Sequence, residues 1–446
     1  MNRTMKSFKS IVLCVTLAVT MLSGCKSQQT EADNVMEQVD DESYEDGLVP
    51  LKTDEEGNPE LPPIEIVGWL PEEFFRECVQ LIEKKFPDRI ITYRYIAKTN
   101  YSSIIGIELA EGRGPDILFE DKAIIMNHAR QGYIIKQNEL GSMYSQEGTS
   151  NFVYDGDIYA IPGLCQYSGI YYNKTIFEDN GIEVPHTYGE FLEVCRTFKN
   201  LGIKPLSMGA YQWDVVQINA MGYVTAEYLA TEEGADFGEK YSKNQGGMRY
   251  VWTPYLSRWA AIIDEGILTK DMLIEDNDYA INEFADGQSA MLCGDTTSYT
   301  RIIEQSPNLK FAMMPYFGEE EGSQLLIGGA MYGFAINTNS KNKDAAQEIL
   351  ELLSTYDGQR AMWQQQRGSD TFLNGITFKK PAEFSGIEDI IQNGRVYMPW
   401  AEWGYASGAY MEFGINLQKY IRGEASMDKI LRITDGVARS LVINSG

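Results

Sequence analysis

The sequence predicts an α/β protein of two domains, and three observations carry that expectation. The chain has 446 residues, more than one hydrophobic core ordinarily serves. Its hydrophobic content of 43% is that of a globular protein. Between residues 64 and 119, strand, helix, strand, helix and strand patterns follow one another, which implies a mostly parallel sheet layered with helices.

The N-terminus comes first. Arg3, Lys6 and Lys9 precede an apolar run over 11–22, which ends in Ser23-Gly24-Cys25. A basic start, a short apolar stretch and small residues at its end form the pattern of a signal peptide, and the run is too short for a comfortable membrane span. Leu22-Ser23-Gly24-Cys25 resembles a bacterial lipobox, in which Cys25 becomes the lipidated first residue. Residues 25–60 are polar and acidic and bury too little apolar surface to fold. We read 1–24 as the signal peptide and 25–60 as a disordered tether extended by its own charge.

Residues 64–69 form the first strand. Over 71–86, Phe74, Cys78, Leu81 and Ile82 share one face of an amphipathic helix. Residues 90–95 alternate as a second strand, 102–111 form a helix stopped by Gly112, and Pro115-Asp116 feeds a buried strand over 117–119. Ligands of parallel sheets lie beyond the carboxyl ends of the strands. That rule brings Trp69, and Glu120-Asp121-Lys122, to a candidate cleft. Asp121 reads equally well as the N-cap of the next helix, which ends near Gly132.

The stretch 155–180, DGDIYAIPGLCQYSGIYYNKTIFEDN, organises the rest. Asp155-Gly156-Asp157 is a tight turn that needs positive φ. A short strand follows, Pro162-Gly163 breaks it, 169–172 is a second strand, and Asn173 or Thr175 caps a helix. Thr187 and Glu190 form a capping box for a helix over 187–200. Residues 214–285 read as helical, with Trp252 and Trp259 on one buried face. The acidic run 275–278 lacks the Gly and the terminal Glu of a calcium loop and reads as a solvated helix cap.

Composition excludes several functions. The formal charge of −26 opposes binding to nucleic acid. With only His128 and His186, composition almost excludes a His-based triad or a multi-His metal site. Cys78, Cys165, Cys195 and Cys293 show no C-x-x-C spacing. They read equally as disulfide partners in an exported protein or as buried thiols. No nucleophile elbow and no H-E-x-x-H motif is present.

Several phrases share one likeness. Gly112, Pro115 and Asp116 come first. Asp155-Gly156, Tyr159, Pro162, Tyr172-Asn173-Lys174, Phe177, Gly181, Pro185, Thr187 and Glu190-Phe191 follow. Then come Gly202-Ile203-Lys204-Pro205, Phe284 with Gly287-Gln288 and Ala290-Met291, and Gly328-Gly329. In order, over about 64–446, they resemble the family 1 extracellular solute-binding proteins, the maltose-binding-like receptors of bacterial ABC importers. Tyr188 stands where the family usually has Trp, and 295–299 lacks the family's Trp after Gly294.

The resemblance implies a two-lobed, type II periplasmic-binding-protein-like fold, each lobe a mostly parallel sheet flanked by helices. Residues 61–165 and 330–380 form lobe 1, and 166–329 and 381–446 form lobe 2, with crossings near 163–169 and 326–332. It implies a monomeric lipoprotein on the outer face of the cell membrane. That protein captures a carbohydrate, an oligosaccharide above all, between its lobes and delivers it to membrane permease subunits, with no cofactor, metal or catalytic residue. The rival classes are a secreted carbohydrate-active enzyme and a surface scaffold lipoprotein of the same fold.

A sugar offers hydroxyls and a flat C–H face, so its receptor needs carboxylates and aromatic rings. Trp69, Asp121, Tyr167, Trp213, Asp295, Tyr299, Gly329, Trp400 and Trp403 are the candidates. Trp213 and Trp403 lead, because the family places aromatics in both corresponding loops. Trp69 reads also as a strand cap, and Tyr167 and Trp400 read also as packing.

Overall fold

The computed structural model describes residues 61–400 and 403–444. The expected signal peptide, Cys25 and the acidic tether lie outside the described residues. Strand β1 (Ile64–Gly68) buries Ile64, Ile66 and Val67 and leads to helix α1 (Arg76–Lys85), which buries Cys78 and Ile82. Strand β2 (Ile91–Tyr95) precedes helix α2 (Lys98–Ala110), which starts at Lys98 rather than at Ser102 and buries Tyr101, Ile105 and Leu109. Strand β3 (Ile117–Glu120) is buried throughout, and helix α3 (Lys122–Gln131) ends at Gly132, whose φ of 72° makes a left-handed stop.

A hairpin of β4 (Val153–Tyr154) and β5 (Asp157–Ile158) turns at Asp155 and Gly156, both at positive φ as expected. The chain continues through β6 (Ile161–Pro162), the ten-residue β7 (Leu164–Asn173), β8 (Lys204–Ser207) and β9 (Ser289–Asp295). Then come β10 (Phe311–Met314), β11 (Leu326–Ala330), β12 (Gly333–Ile336), β13 (Asp370–Thr371) and β14 (Val396–Tyr397).

These strands form two large sheets. The first runs β2-β1-β3-β12-β6, with β1 parallel to β2 and β3, and β12 antiparallel to β3 and β6. The second runs β14-β11-β7-β9-β8 and is mixed rather than mostly parallel. Its axis is β7, which pairs antiparallel with four strands. On one edge it meets β13 and then β9, on the other β11 and then β10. The reason is the path of the chain: β7 leaves the first sheet and β11 returns towards it, so the two run in opposite directions.

The sequence phrases have physical explanations here. Asp116 is buried and accepts from the Glu65 backbone N–H (2.9 Å), the Ser340 hydroxyl (2.6 Å) and the Asn342 amide (3.1 Å), so it ties the first strand to the returning segment. At Gly163 a Cβ would lie 1.8 Å from the Tyr332 ring, so the outward passage needs glycine. Asn173 accepts from the Ile176 N–H at 3.1 Å and caps the next helix. Thr187 accepts from the Glu190 N–H at 3.3 Å, while Glu190 accepts from the His186 N–H at 2.7 Å. Trp252 and Trp259 are fully buried, and Asp276 caps its helix through the Tyr279 N–H.

The four cysteines of the described region are free and buried. Among the described residues no helix is long and apolar enough to cross a membrane. No group of three or more His, Cys, Asp or Glu is gathered there to hold a metal ion.

Candidate ligand-binding site

The chain passes between the two large sheets three times, from β6 into β7, from β11 into β12 and from β12 into β13. A groove lies beside these passages. Its first wall is supplied by the carboxyl ends of the three parallel strands, as the rule for such sheets demands. Trp69 follows β1, Lys98 opens the helix after β2, and Asp121-Lys122 follow β3. Its second wall comes from two helices packed together in the second core. Trp213 and Asp214 open the helix Trp213–Val224, and Tyr410 opens the helix Tyr410–Ile421.

Three cavities lie along the groove. A mouth cavity of about 320 Å³ is lined by Trp69, Lys98, Tyr211, Trp213, Asp214 and Asp295, among others. A neck of about 90 Å³ includes Lys98, Asp121, Asp214, Met398, Trp400 and Tyr410. A far cavity of about 420 Å³ includes Lys122, Asn151, Thr225, Gly329, Met398 and Trp403. Lys98 and Asp214 line both mouth and neck. Lys122, Met398 and Pro399 line both neck and far cavity. The three are therefore consecutive.

The walls touch at the neck. The Tyr410 hydroxyl donates to Asp121 Oδ2 at 2.6 Å. Asp121 Oδ1 meanwhile accepts from the Ile124 N–H at 3.2 Å, so the helix-cap and cleft readings of Asp121 both hold. Burial, reinforced by the facing Asp121 carboxylate, pushes the Tyr410 hydroxyl well above its ordinary value and keeps it a donor. Lys98 Nζ lies 3.2 Å from Asp214 Oδ2. The same ammonium sits 4.4 Å from the Trp69 ring centroid and 5.5 Å from that of Trp213, a cation–π arrangement across the groove. Trp213 meets Tyr410 edge-on at 5.2 Å.

The candidates thus divide. Trp69, Trp213 and Asp295 line the mouth, Asp121 and Trp400 the neck, and Gly329 and Trp403 the far cavity. Burial raises the Asp295 carboxyl, partly offset by hydrogen bonds from Thr297 and Ser298. Gly329 has φ of +138°, which explains the glycine without a ligand. Trp403 is only 4% exposed and its ring packs on Phe237, Trp252 and Trp400, so it belongs mainly to the core.

Two candidates lie in the core instead of the groove. Tyr167 is 3% exposed on a strand buried along nearly its whole length, and its hydroxyl donates to Asp370 at 2.6 Å. Tyr299 is 6% exposed, shares a helix face with buried Ile302, and packs on Phe311 and Phe384. Glu120 also turns inward: it is 0% exposed and pairs with His128 Nδ1 at 3.0 Å. Lys98, Asp214 and Tyr410 are the groove residues that sequence reasoning missed. Asp214 had a signal, its place directly after Trp213. Lys98 and Tyr410 had none, because neither carries a cap or motif pattern.

A profile described as bacterial extracellular solute-binding protein matches residues 79–373. The chain belongs to that family. Among its relatives is the multiple sugar-binding protein of Streptococcus mutans, 20% identical over 294 residues, or 61% of this chain and 66% of that one. Another is the diacetylchitobiose binding protein DasA of Streptomyces coelicolor, 23% identical over 290 residues, or 63% of this chain and 64% of that one. The chain thus spans no more than about two thirds of either relative's length.

Solved structures agree in fold. RafE in complex with raffinose superposes with a TM-score of 0.68 at 18% identity, covering 84% of this chain and 100% of that one. A family 1 extracellular solute-binding protein from Bifidobacterium longum subsp. infantis gives 0.64 at 20% identity, covering 85% and 99%. The two-lobed solute-binding architecture is therefore that of this family.

Proposed function

We propose that the protein is the ligand-capturing component of an ABC importer, and that it takes a carbohydrate into the groove between its lobes and presents it to membrane permease subunits. The observation that carries this reading is the groove itself. Aromatic rings (Trp69, Trp213, Tyr410) and carboxylates (Asp121, Asp214) face one another across the passages between the sheets, the two kinds of group a sugar needs. Relatives named as binding multiple sugars or diacetylchitobiose support it, as does the fold shared with a raffinose complex. Asp121 and Asp295 favour a neutral ligand over a strongly anionic one, since unpaired like charges cost affinity.

The lobes are bounded near 165, 330 and 380, and they open without ligand and close around it. The protein acts as a monomer, has no nucleic-acid partner, performs no catalysis, and is held by acyl chains on Cys25 at the outer face of the membrane. The test is a thermal-shift screen of mono- and oligosaccharides, because a ligand that binds only the folded state raises the melting temperature. A rise with one sugar class and no hydrolysis of that sugar is the expected result. Hydrolysis would turn the reading to an enzyme, and a response only to peptides, metals or anions would remove the carbohydrate. Mass spectrometry of the native protein tests the anchor, and an unmodified Cys25 ends that part.

A further inference from the structure

We infer that Lys98 is a built-in competitor at the mouth of the groove: its ammonium fills a cage made by Trp69, Trp213 and Asp214, and an incoming ligand binds by exchange with it. The inference rests on the reading of the groove as the ligand site and deepens it, by naming the residue that sets what the mouth accepts.

Lys98 stands where a ligand would stand. Its Nζ lies 4.4 Å from the Trp69 ring centroid, 5.5 Å from that of Trp213 and 3.2 Å from Asp214 Oδ2. A cation within about 6 Å of an aromatic centroid is held by the face of the ring, and that face is the surface a sugar stacks on. Trp213 lines the mouth cavity and yet is only 5% exposed. Its ring is seated against Gly414, where a Cβ would come within 2.8 Å of it, meets Tyr410 edge-on, and carries Lys98 over it. Little of Trp213 is open to a ligand until Lys98 withdraws.

The neighbouring carboxylates have other partners. Asp295 accepts from the Thr297 and Ser298 N–H groups, Asp278 pairs with Arg301, and Asp121 accepts from Tyr410. Asp214 accepts from the Val215 N–H through Oδ1, which leaves Oδ2 to Lys98. When Lys98 leaves, Oδ2 is the acceptor set free for a ligand hydroxyl. The Lys98 and Asp214 side chains keep 22% and 26% of their surface exposed, so solutes reach the pair. The place of Lys98 in the chain points the same way. It is the first residue of α2, whose start has no capping side chain and no acidic residue. The positive end of a helix dipole disfavours a cation there. The ammonium is therefore stabilised across the groove and not by its own helix, and departures from a local rule gather at functional sites.

Lys98→Ala removes the atoms of one propylammonium, so propylammonium chloride is the first probe, with n-propanol as its neutral control. Tryptophan fluorescence of the full chain should show saturable, millimolar binding of propylammonium to Lys98→Ala. The parent should show none, because its tethered ammonium holds the cage at a high effective concentration, and n-propanol should bind neither. The second arm is calorimetry with raffinose, stachyose and N,N′-diacetylchitobiose. A sugar that binds should bind Lys98→Ala and Lys98→Gln more tightly than the parent, by about threefold to tenfold, since the competitor is gone. Added sodium chloride should tighten the parent and leave both variants unchanged, because salt screens the Lys98–Asp214 pair. A lysine that instead donates to the sugar would make both variants bind more weakly, which overturns the inference. Equal affinity of parent and variants overturns it too, as does a Lys98→Ala cage that ignores propylammonium. If none of the sugars binds, the carbohydrate reading loses support while the propylammonium titration still decides the cage. Both substitutions place good helix formers at the start of α2, so the variants keep the fold.

Discussion

The two walls of the groove are built differently. The first wall is charged and local: Lys98 and Asp121-Lys122 stand at the starts of helices that follow parallel strands, each placed by the backbone a few residues away. The second wall is aromatic and remote: Trp213 meets Tyr410, and Trp400 and Trp403 are gathered around Trp252, Phe237 and Phe413, from positions almost two hundred residues apart. The difference teaches where to look for each kind of effect. A change at a groove-facing side chain of either wall should be read in binding and closure, and a change in the aromatic cluster around Trp252 in stability.

The largest expected effect sits on the second wall. Trp252 is fully buried against Phe237, Trp400, Trp403 and Phe413. Trp252→Ala should lower stability by about 3–5 kcal/mol in urea denaturation. A loss under about 1 kcal/mol would mean that the aromatic wall is not a packed unit. Next comes the contact between the walls. Tyr410→Phe removes a hydrogen bond to a carboxylate, a bond of a class worth about 1.5–3 kcal/mol. The open–closed equilibrium of the ligand-free protein should then shift further to the open form, seen as a larger radius of gyration in small-angle scattering, and an unchanged radius would deny the bond a part in closure.

Trp69→Ala and Trp403→Ala set the walls directly against each other. The first, whose ring is partly buried on Phe119 and Tyr332, should reduce sugar affinity by about 1–3 kcal/mol and lower ligand-free melting less than the second does. The second should chiefly lower the melting temperature. Calorimetry and a melting curve on each variant decide, and equal behaviour of the two would mean that the walls do not differ in role.

The smaller effects lie behind and on the first wall. Burial alone would lower the His128 imidazole, but the Glu120 carboxylate, by charge and hydrogen bond, reverses this and raises it above its ordinary value of 6.5. A raised folded value stabilises fully below about 6.5 and is lost as pH rises through the folded value. The stability gap between the parent and His128→Gln should therefore shrink as pH rises from 6.5 in a series of denaturation curves, and a gap independent of pH would contradict the pairing. Least of all, Lys98→Met should cost at most about 1 kcal/mol of stability, since the Lys98–Asp214 pair is partly exposed and salt screens it. A larger, salt-insensitive loss would place this pair among the buried ones.

Local chemistry explains what was legible in the sequence. The Asp155-Gly156 turn, the Asn173 and Thr187 caps, and the parallel order of β1, β2 and β3 follow from rules that act over a few residues. Trp69 and Asp121 were placed at the groove because strand ends in such sheets are readable. The direction of the second sheet was not, because β7 takes partners from β9 to β13, and no local pattern names them. Tyr167 and Tyr299 looked like site residues because an aromatic near a crossing has the same composition whether it faces a groove or a core. Lys98 was lost through a helix start four residues early, where Ala97 offers no capping side chain.

The position of β12 bears on how such a chain is made. In the first sheet Ile336 pairs with Ile117 and Phe334 with both Phe119 and Ile161. A growing polypeptide that has reached only residue 330 therefore has β3 without its antiparallel neighbour and β6 without any partner in that sheet. The early half must wait, part-built, for a segment that arrives after most strands of the other lobe. Closing so long a loop adds little to the equilibrium cost, which grows only with the logarithm of length, but it slows assembly. Such a polypeptide stays unfolded longer than its stability alone would dictate.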